Sequence, residues 1–204
     1  MTEKLRRSDE AGLGRFAERV WENIFTASGV RFIPLAKLDM GAPRVDGKEF
    51  VVLPDYQCAG DGWEAYIDSK CKSGPVFFRK KQQWRHGIDR KRWADYERTG
   101  YIFKRNAGLG VIELFAKCDN DLLPGEMPEW SGALLAGRFK ELGPPEFSES
   151  RFDDKVYWRT KQFTNLDSLS PDELLAAWNG KPPRTYKMEL TDIFAPQKQT
   201  SLFA

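Results

Sequence analysis

Residues 8–28, SDEAGLGRFAERVWENIFTAS, place Leu13, Phe16, Ala17, Val20, Ile24 and Phe25 at helical spacing. Ser8 stands where an N-cap belongs, and Gly29 where a left-handed residue closes a helix. Three β-type runs follow: RFIPLAKL (31–38), EFVVL (49–53) and EAYID (64–68). Turn-rich segments, DMGAPRVDG (39–47) and CAGDG (58–62), separate them. A second helical stretch in the back half of 79–100 stops at Gly100. YIFKR (101–105) and GVIELFAK (110–117) then read as a strand pair. Helix, strands, helix, strand is the order of an α/β domain. The chain has 204 residues, enough for one such domain with a sizeable core.

The rest of the chain is less regular. Prolines 124, 128, 144 and 145 mark 118–152 as loop-rich, and KVYWRTKQF (155–163) is expected to return to the sheet. Ser170, Pro171 and Glu173 spell the start of a short helix over 170–178. The expected organisation is a single domain over 1–195, with a core of about 12–115, an extension over 116–195 and a mobile tail from 196 to 204.

Charge and cysteine usage bound the function classes. The net charge is only +2, so any affinity for nucleic acid must come from local clustering. No apolar run approaches the roughly 18 residues that cross a bilayer. The first ten residues, MTEKLRRSDE, lack an apolar signal region. Cys58, Cys71, Cys118 and His86 show no metal-ligand spacing. An odd, sparse cysteine set fits free thiols in a reducing cytoplasm.

The chemistry concentrates in LPDYQCAGDGWEAYIDSKCK, residues 53–72. Asp-x-Lys occurs four times, at Asp46, Asp68, Asp89 and Asp153, so the triplet alone selects nothing. Asp46 lies in a glycine-containing turn, Asp89 in a basic stretch, and Asp153 lacks an upstream acidic partner on a neighbouring strand. Asp68 instead closes the apolar run AYI. Residues two apart on a strand share a face, so Asp68 and Lys70 project together. A hairpin over 53–68 brings Asp55 toward Asp68. Two carboxylates on adjacent strands suit Mg²⁺ or Mn²⁺, which take oxygen ligands and keep waters and phosphate. A neighbouring lysine orients an attacking water and offsets developing negative charge.

LPDY…YIDSKCK resembles the motif of the PD-(D/E)XK nuclease superfamily, which includes restriction endonucleases and archaeal-type Holliday junction resolvases. Members similar to those resolvases carry Gly-x-x-x-Glu in the first helix, and GRFAERV supplies Gly14 and Glu18. The resemblance covers roughly residues 12–115. It implies a central mixed β-sheet flanked by helices in the order αβββαβ. It also implies Mg²⁺- or Mn²⁺-dependent DNA cleavage, with Glu18, Asp55 and Asp68 as metal ligands and Lys70 as the catalytic lysine. Many relatives work as dimers, so a homodimer is among the expectations. A non-catalytic DNA-binding or clamp-associated adaptor and an RNA-directed nuclease are the competing readings.

Two further features point to partners. Arg79, Lys80, Lys81, Arg85, Arg90, Lys91 and Arg92 lie within 79–92 against Asp89 alone. Placed just after the candidate strand, they are expected to contact the DNA backbone. Within that stretch Trp84, Ile88, Trp93 and Tyr96 read as core residues, and His86 as structural. Near the C-terminus, Gln199, Ser201, Leu202 and Phe203 form a pattern similar to the bacterial sliding-clamp-binding peptide. Deleting 199–203 is expected to leave cleavage of bare DNA unchanged and to remove clamp association. Equal clamp affinity with and without these residues, measured by surface plasmon resonance, would contradict that expectation.

Overall fold

The structure, a computed structural model, describes residues 10–35, 44–45, 49–50, 52–72, 76–78, 83–101, 105–116, 130–148 and 154–195. Helix α1 spans Glu10–Ala27 and is followed by β1 (Arg31–Pro34), β2 (Arg44–Val45) and β3 (Glu49–Phe50). The hairpin β4 (Tyr56–Gly60) and β5 (Trp63–Lys72) comes next, then β6 (Val76–Phe78), β7 (Gln83–Asp89) and α2 (Arg90–Thr99). After β8 (Ala107–Ala116) come β9 (Trp130–Arg138), α3 (Phe139–Leu142), β10 (Glu146–Phe147) and β11 (Lys155–Arg159). Strand β12 (Thr164–Leu169) and helices α4 (Pro171–Trp178) and α5 (Lys187–Phe194) complete the described chain.

A six-stranded mixed sheet, in the order β1-β4-β5-β8-β9-β12, forms the centre. Only β5 and β8 run parallel, joined through the crossover that contains α2; the other neighbours are antiparallel. Helices α1, α4 and α5 cover one face. There Phe16, Val20, Trp21, Ile24 and Phe25 of α1 pack on Ile67, Ile112 and Leu134. The other face carries α2, α3 and a four-stranded sheet in the order β10-β11-β7-β6. Its core joins Trp93, Tyr96, Phe139 and Trp158 to Leu109, Val111 and Leu135. Each large apolar side chain so buried contributes roughly 1.5–3 kcal/mol.

The expected order α1, β1, β4, β5, α2, β8 is present, with two changes in its strands. First, the middle strand of the trio is Tyr56–Gly60, not 49–53. Glu49–Phe50 pairs instead with Arg44–Val45 in a separate ribbon. The hairpin is tighter than the CAGDG segment suggests. Cys58, Ala59 and Gly60 belong to β4, and only Asp61-Gly62 forms the turn, with Gly62 at φ +76°. Asp-Gly is the two-residue turn signal, and glycine takes the left-handed position without a Cβ clash. Second, Tyr101 lies in a turn directly after Gly100 rather than in a strand, and 102–104 lie outside the described residues. Both expected helix stops hold. Gly29 has φ +70° and Gly100 has φ +79°.

The segment 118–152 is not simply a loop. Residues 130–138 form β9, paired with β8 along its whole length. Glycines disguise this strand. A Cβ at Gly132 would sit 2.6 Å from Leu174, and one at Gly137 2.8 Å from Leu142. These glycines mark where helices approach the sheet, not where the chain turns. Residues 155–159 join the smaller sheet beside β7, while Thr164–Leu169 supplies the last strand of the central one. The helix over 171–178 has the expected reciprocal cap between Ser170 and Glu173. Among the described residues, no helix is long and apolar enough to cross a membrane.

Candidate active site

The hairpin register sets the geometry. Tyr56 pairs with Ile67, so the preceding Asp55 falls beside Asp68. On β5, Trp63, Ala65 and Ile67 face the α1 core. The alternation turns Asp68 and Lys70 to the opposite face, toward α2. Asp55 is fixed from both sides. Ser69 donates its N–H (2.7 Å) and its hydroxyl (3.0 Å) to Asp55 Oδ2. Leu35 N–H donates to the Asp55 carbonyl at 2.8 Å. Helix α2 holds the approach to Asp55, because Val52 N–H donates to the buried Asp95 Oδ2 at 3.1 Å.

Asp68 is fully buried, at 0% exposure. Lys70 Nζ lies 2.7 Å from its Oδ1, donates to Ser69 O at 2.8 Å and stands 3.6 Å from Asp55 Oδ2. Arg92 Nη1, from α2, lies 2.6 Å from the same Asp68 Oδ1 and 3.8 Å from Asp55 Oδ1. Asp68 Oδ2 accepts from neither cation, and a proton on Asp55 lets that carboxyl hydrogen-bond to Asp68. A buried carboxylate oxygen needs such a donor or a cation.

Burial and charge drive the two carboxyls apart. Burial works to raise the Asp68 pKa, but Lys70 and Arg92 outweigh it and hold the group below its ordinary value. Burial first, and then the charge of Asp68, push Asp55 up to about 6. Neighbouring carboxyls with separated affinities for protons are a frequent mark of a reaction centre.

Glu18 occupies the neighbouring helix α1. Its backbone carbonyl accepts from the Tyr56 hydroxyl at 3.2 Å. Among the described residues, no group of three or more His, Cys, Asp and Glu side chains is placed to hold one ion. Gly14 is exposed, and a Cβ there would meet nothing within 4 Å, so packing does not require the glycine.

The basic stretch divides. Arg85 is only 1% exposed and pairs with Glu146, its Nη1 2.8 Å from Oε2, so it does not belong to a phosphate-binding surface. It lies on β7, between β11 and β6, where a strand cannot keep all its side chains in water. Arg90 pairs with Asp154 at 3.1 Å, Lys91 is exposed, and Arg92 enters the acidic centre. Arg79, Lys80 and Lys81 lie outside the described residues, as do Gln199, Ser201, Leu202 and Phe203. Ile88, Trp93 and Tyr96 are buried as expected. His86 is buried with its Nε2 3.5 Å from Glu113 Oε2. Among the described residues, Cys58 and Cys71 take part in no disulfide.

Residue spacing alone assigns neither Arg92 to the acidic centre nor Asp95 to its link with Val52. The available signal was their place on a crossover helix whose inner face also carries Trp93 and Tyr96. Such a helix lies across the strand it follows.

No protein-family model matches the chain, and no curated protein matches it. Among solved structures it is similar to Hjc of Archaeoglobus fulgidus, a Holliday junction resolvase from an archaeal hyperthermophile. The identity is 10%, the match covers 80% of this chain and 98% of that one, and the TM-score is 0.35. At that distance, the reading of the site rests on its own geometry.

Proposed function

We propose that Asp55, Asp68 and Lys70 form the centre of a divalent-metal-dependent endonuclease acting on DNA. The observation that carries the proposal is the fully buried Asp68 beside a second carboxyl and a lysine. The donor set suits the group. Carboxylate oxygens are what Mg²⁺ and Mn²⁺ take, commonly one or two at a time alongside waters and substrate phosphate. Asp55 and Asp68 would hold such an ion, with Glu18 on the adjoining helix as the further candidate implied by the family resemblance. When bound, the ion supplies a Lewis acid for the phosphoryl group and lowers the pKa of a bound water.

The chain's own residues do the rest. Lys70 stands between the two carboxylates, where its ammonium orients a water and offsets charge developing at phosphorus. The Ser69 N–H and hydroxyl lock Asp55 in one rotamer, so its free oxygen faces Asp68 without reorganisation. Lys91, exposed at the start of α2, and the solvent-facing part of Arg90 extend positive charge away from the centre for the DNA backbone.

The test is cleavage of labelled single-strand, duplex, flap and four-way-junction DNAs, with an RNA duplex in parallel, under EDTA, Mg²⁺ and Mn²⁺. Metal-dependent cutting of at least one DNA is expected. Metal-dependent cutting of RNA alone would replace DNA by RNA as the substrate. Cutting of none would favour the adaptor reading.

The acidic pair also dictates a pH dependence. A carboxyl raised to about 6 in the fold stabilises the cation-free fold below its unfolded value, near 4, and this stability is lost as pH rises through about 6. Asp68 has the opposite sign. Its depressed pKa adds stability above the unfolded value, lost as pH falls through the folded one. A divalent cation must displace the Asp55 proton. Mn²⁺ is therefore expected to raise the melting temperature by several degrees at pH 8 and by little at pH 5, read by differential scanning fluorimetry. An equal rise at both values would contradict the placement of the ion at Asp55.

A further inference from the structure

Arg92 was expected on a DNA-contacting surface, and its guanidinium instead faces the two carboxylates. With Lys70 it already balances them, two positive charges against two negative. A divalent ion added to that set leaves two positive charges uncompensated unless a cation departs. The nuclease reading keeps Lys70 at the centre, so Arg92 is the cation that departs. Lys70 is held by Asp68 Oδ1, Ser69 O and Asp55 Oδ2. Arg92 has a short contact to Asp68 Oδ1, a long one of 3.8 Å to Asp55 Oδ1 and a side-chain hydrogen bond with Tyr96 of its own helix. Its side chain is 25% exposed, so it can turn into solvent without opening the core. Asp68, at 0%, cannot follow it.

Arg92 also stands 3.8 Å from one of the oxygens a metal would need, Asp55 Oδ1, and shares Asp68 with the other. Asp55 Oδ2 is taken by Ser69, and Asp68 Oδ1 by Lys70. Asp55 Oδ1 and Asp68 Oδ2 remain. Building on the nuclease reading, we propose that Arg92 is an exchangeable counter-ion. It neutralises the acidic pair in the cation-free protein and competes with the divalent ion for it. The fork suits this task, because a delocalised, weakly hydrated guanidinium pairs with carboxylate and transfers to phosphate with little rehydration cost.

The sign of one measurement separates this from a purely structural role. Mn²⁺ is titrated calorimetrically into cation-free protein at pH 8, for wild type, Arg92→Gln, Arg92→Lys and Asp68→Asn. Removing a competitor tightens Mn²⁺ binding, whereas removing a mere support loosens Asp68 and weakens it. Arg92→Gln is expected to bind Mn²⁺ about tenfold more tightly or better, the effect of losing one charge-assisted hydrogen bond. Arg92→Lys is expected to fall between it and wild type, and Asp68→Asn to lose the site. Unchanged or weaker binding by Arg92→Gln, with Asp68→Asn still losing the site, would overturn the counter-ion role and leave the nuclease reading standing. Mn²⁺ binding indifferent to Asp68→Asn would overturn both.

Arg92→Gln leaves a buried charge short of a partner, so it can unfold without the ion. Restoration of its melting transition by Mn²⁺ then supports the proposal. With no restoration, Arg92→Lys decides: binding tighter than wild type supports the exchange, and equal or weaker binding overturns it.

Discussion

Lys70→Ala is expected to lower the cleavage rate by about a thousandfold while Mn²⁺ binding survives. The lysine is one of two cations on a fully buried carboxylate, and in the cation-free protein Arg92 remains on Asp68 Oδ1 when Lys70 is gone. The carboxylates that would hold the ion therefore stay compensated and in place. What is lost is the ammonium between Asp55 and Asp68, the group placed to orient water and offset transition-state charge. Removing one such preorganised donor elsewhere costs about 10²–10³ in rate. The check is single-turnover cleavage at saturating Mn²⁺ beside a calorimetric Mn²⁺ titration. A large fall in rate with metal affinity kept within a few-fold is the expected pair of results. Near-wild-type cleavage would remove Lys70 from the chemistry. Equal loss of metal and rate would make it a scaffold for Asp68.

Trp21→Ala is expected to cost about 3–5 kcal/mol of stability, the range for large aromatic truncations in a core. Trp21 is fully buried on α1 and lies against Phe25, with ring centroids 5.6 Å apart. Its indole occupies the space that a side chain on β8 would otherwise take, since a Cβ at Gly110 would come within 2.7 Å of it. The helix therefore cannot settle closer to fill the hole without meeting the strand. Thermal or urea unfolding checks this, with a fall of roughly 10 °C expected for a domain of this size. A shift below 2 °C would mean that α1 repacks freely on the sheet.

The acidic centre was more legible than its surroundings. Asp55, Asp68 and Lys70 could be found because their relation is local. A strand alternates with period two, and an Asp-Gly turn pins the register of the neighbour. The helix stops at Gly29 and Gly100 and the Ser170 cap are local in the same way. Three of the misses are non-local. The strand over 130–138 reads as loop because Gly132 and Gly137 look like turn residues until Leu174 and Leu142 are seen lying against them. Arg85 reads as surface charge because its partner, Glu146, is 61 residues away and belongs to another strand of the smaller sheet. Arg92 reads the same way, since nothing in RKKQQWRHGIDRKR tells which of its cations turns inward. That depends on how far α2 rotates over β5, which Trp93 and Tyr96 set by packing on Phe139.

Asp68→Asn is the most direct probe of the centre. The change is isosteric, and the two cations that lose their carboxylate, Lys70 and Arg92, are both partly exposed, so the fold should survive. The decisive measurement is cleavage by wild type and Asp68→Asn of the best-cut DNA from the panel, in Mg²⁺ and in EDTA, with melting curves of both proteins alongside. Cutting by wild type in Mg²⁺ alone, at least about a thousandfold slower in a folded Asp68→Asn, is the expected result. Cutting that persists in EDTA, or in the variant, would place the chemistry elsewhere in the molecule.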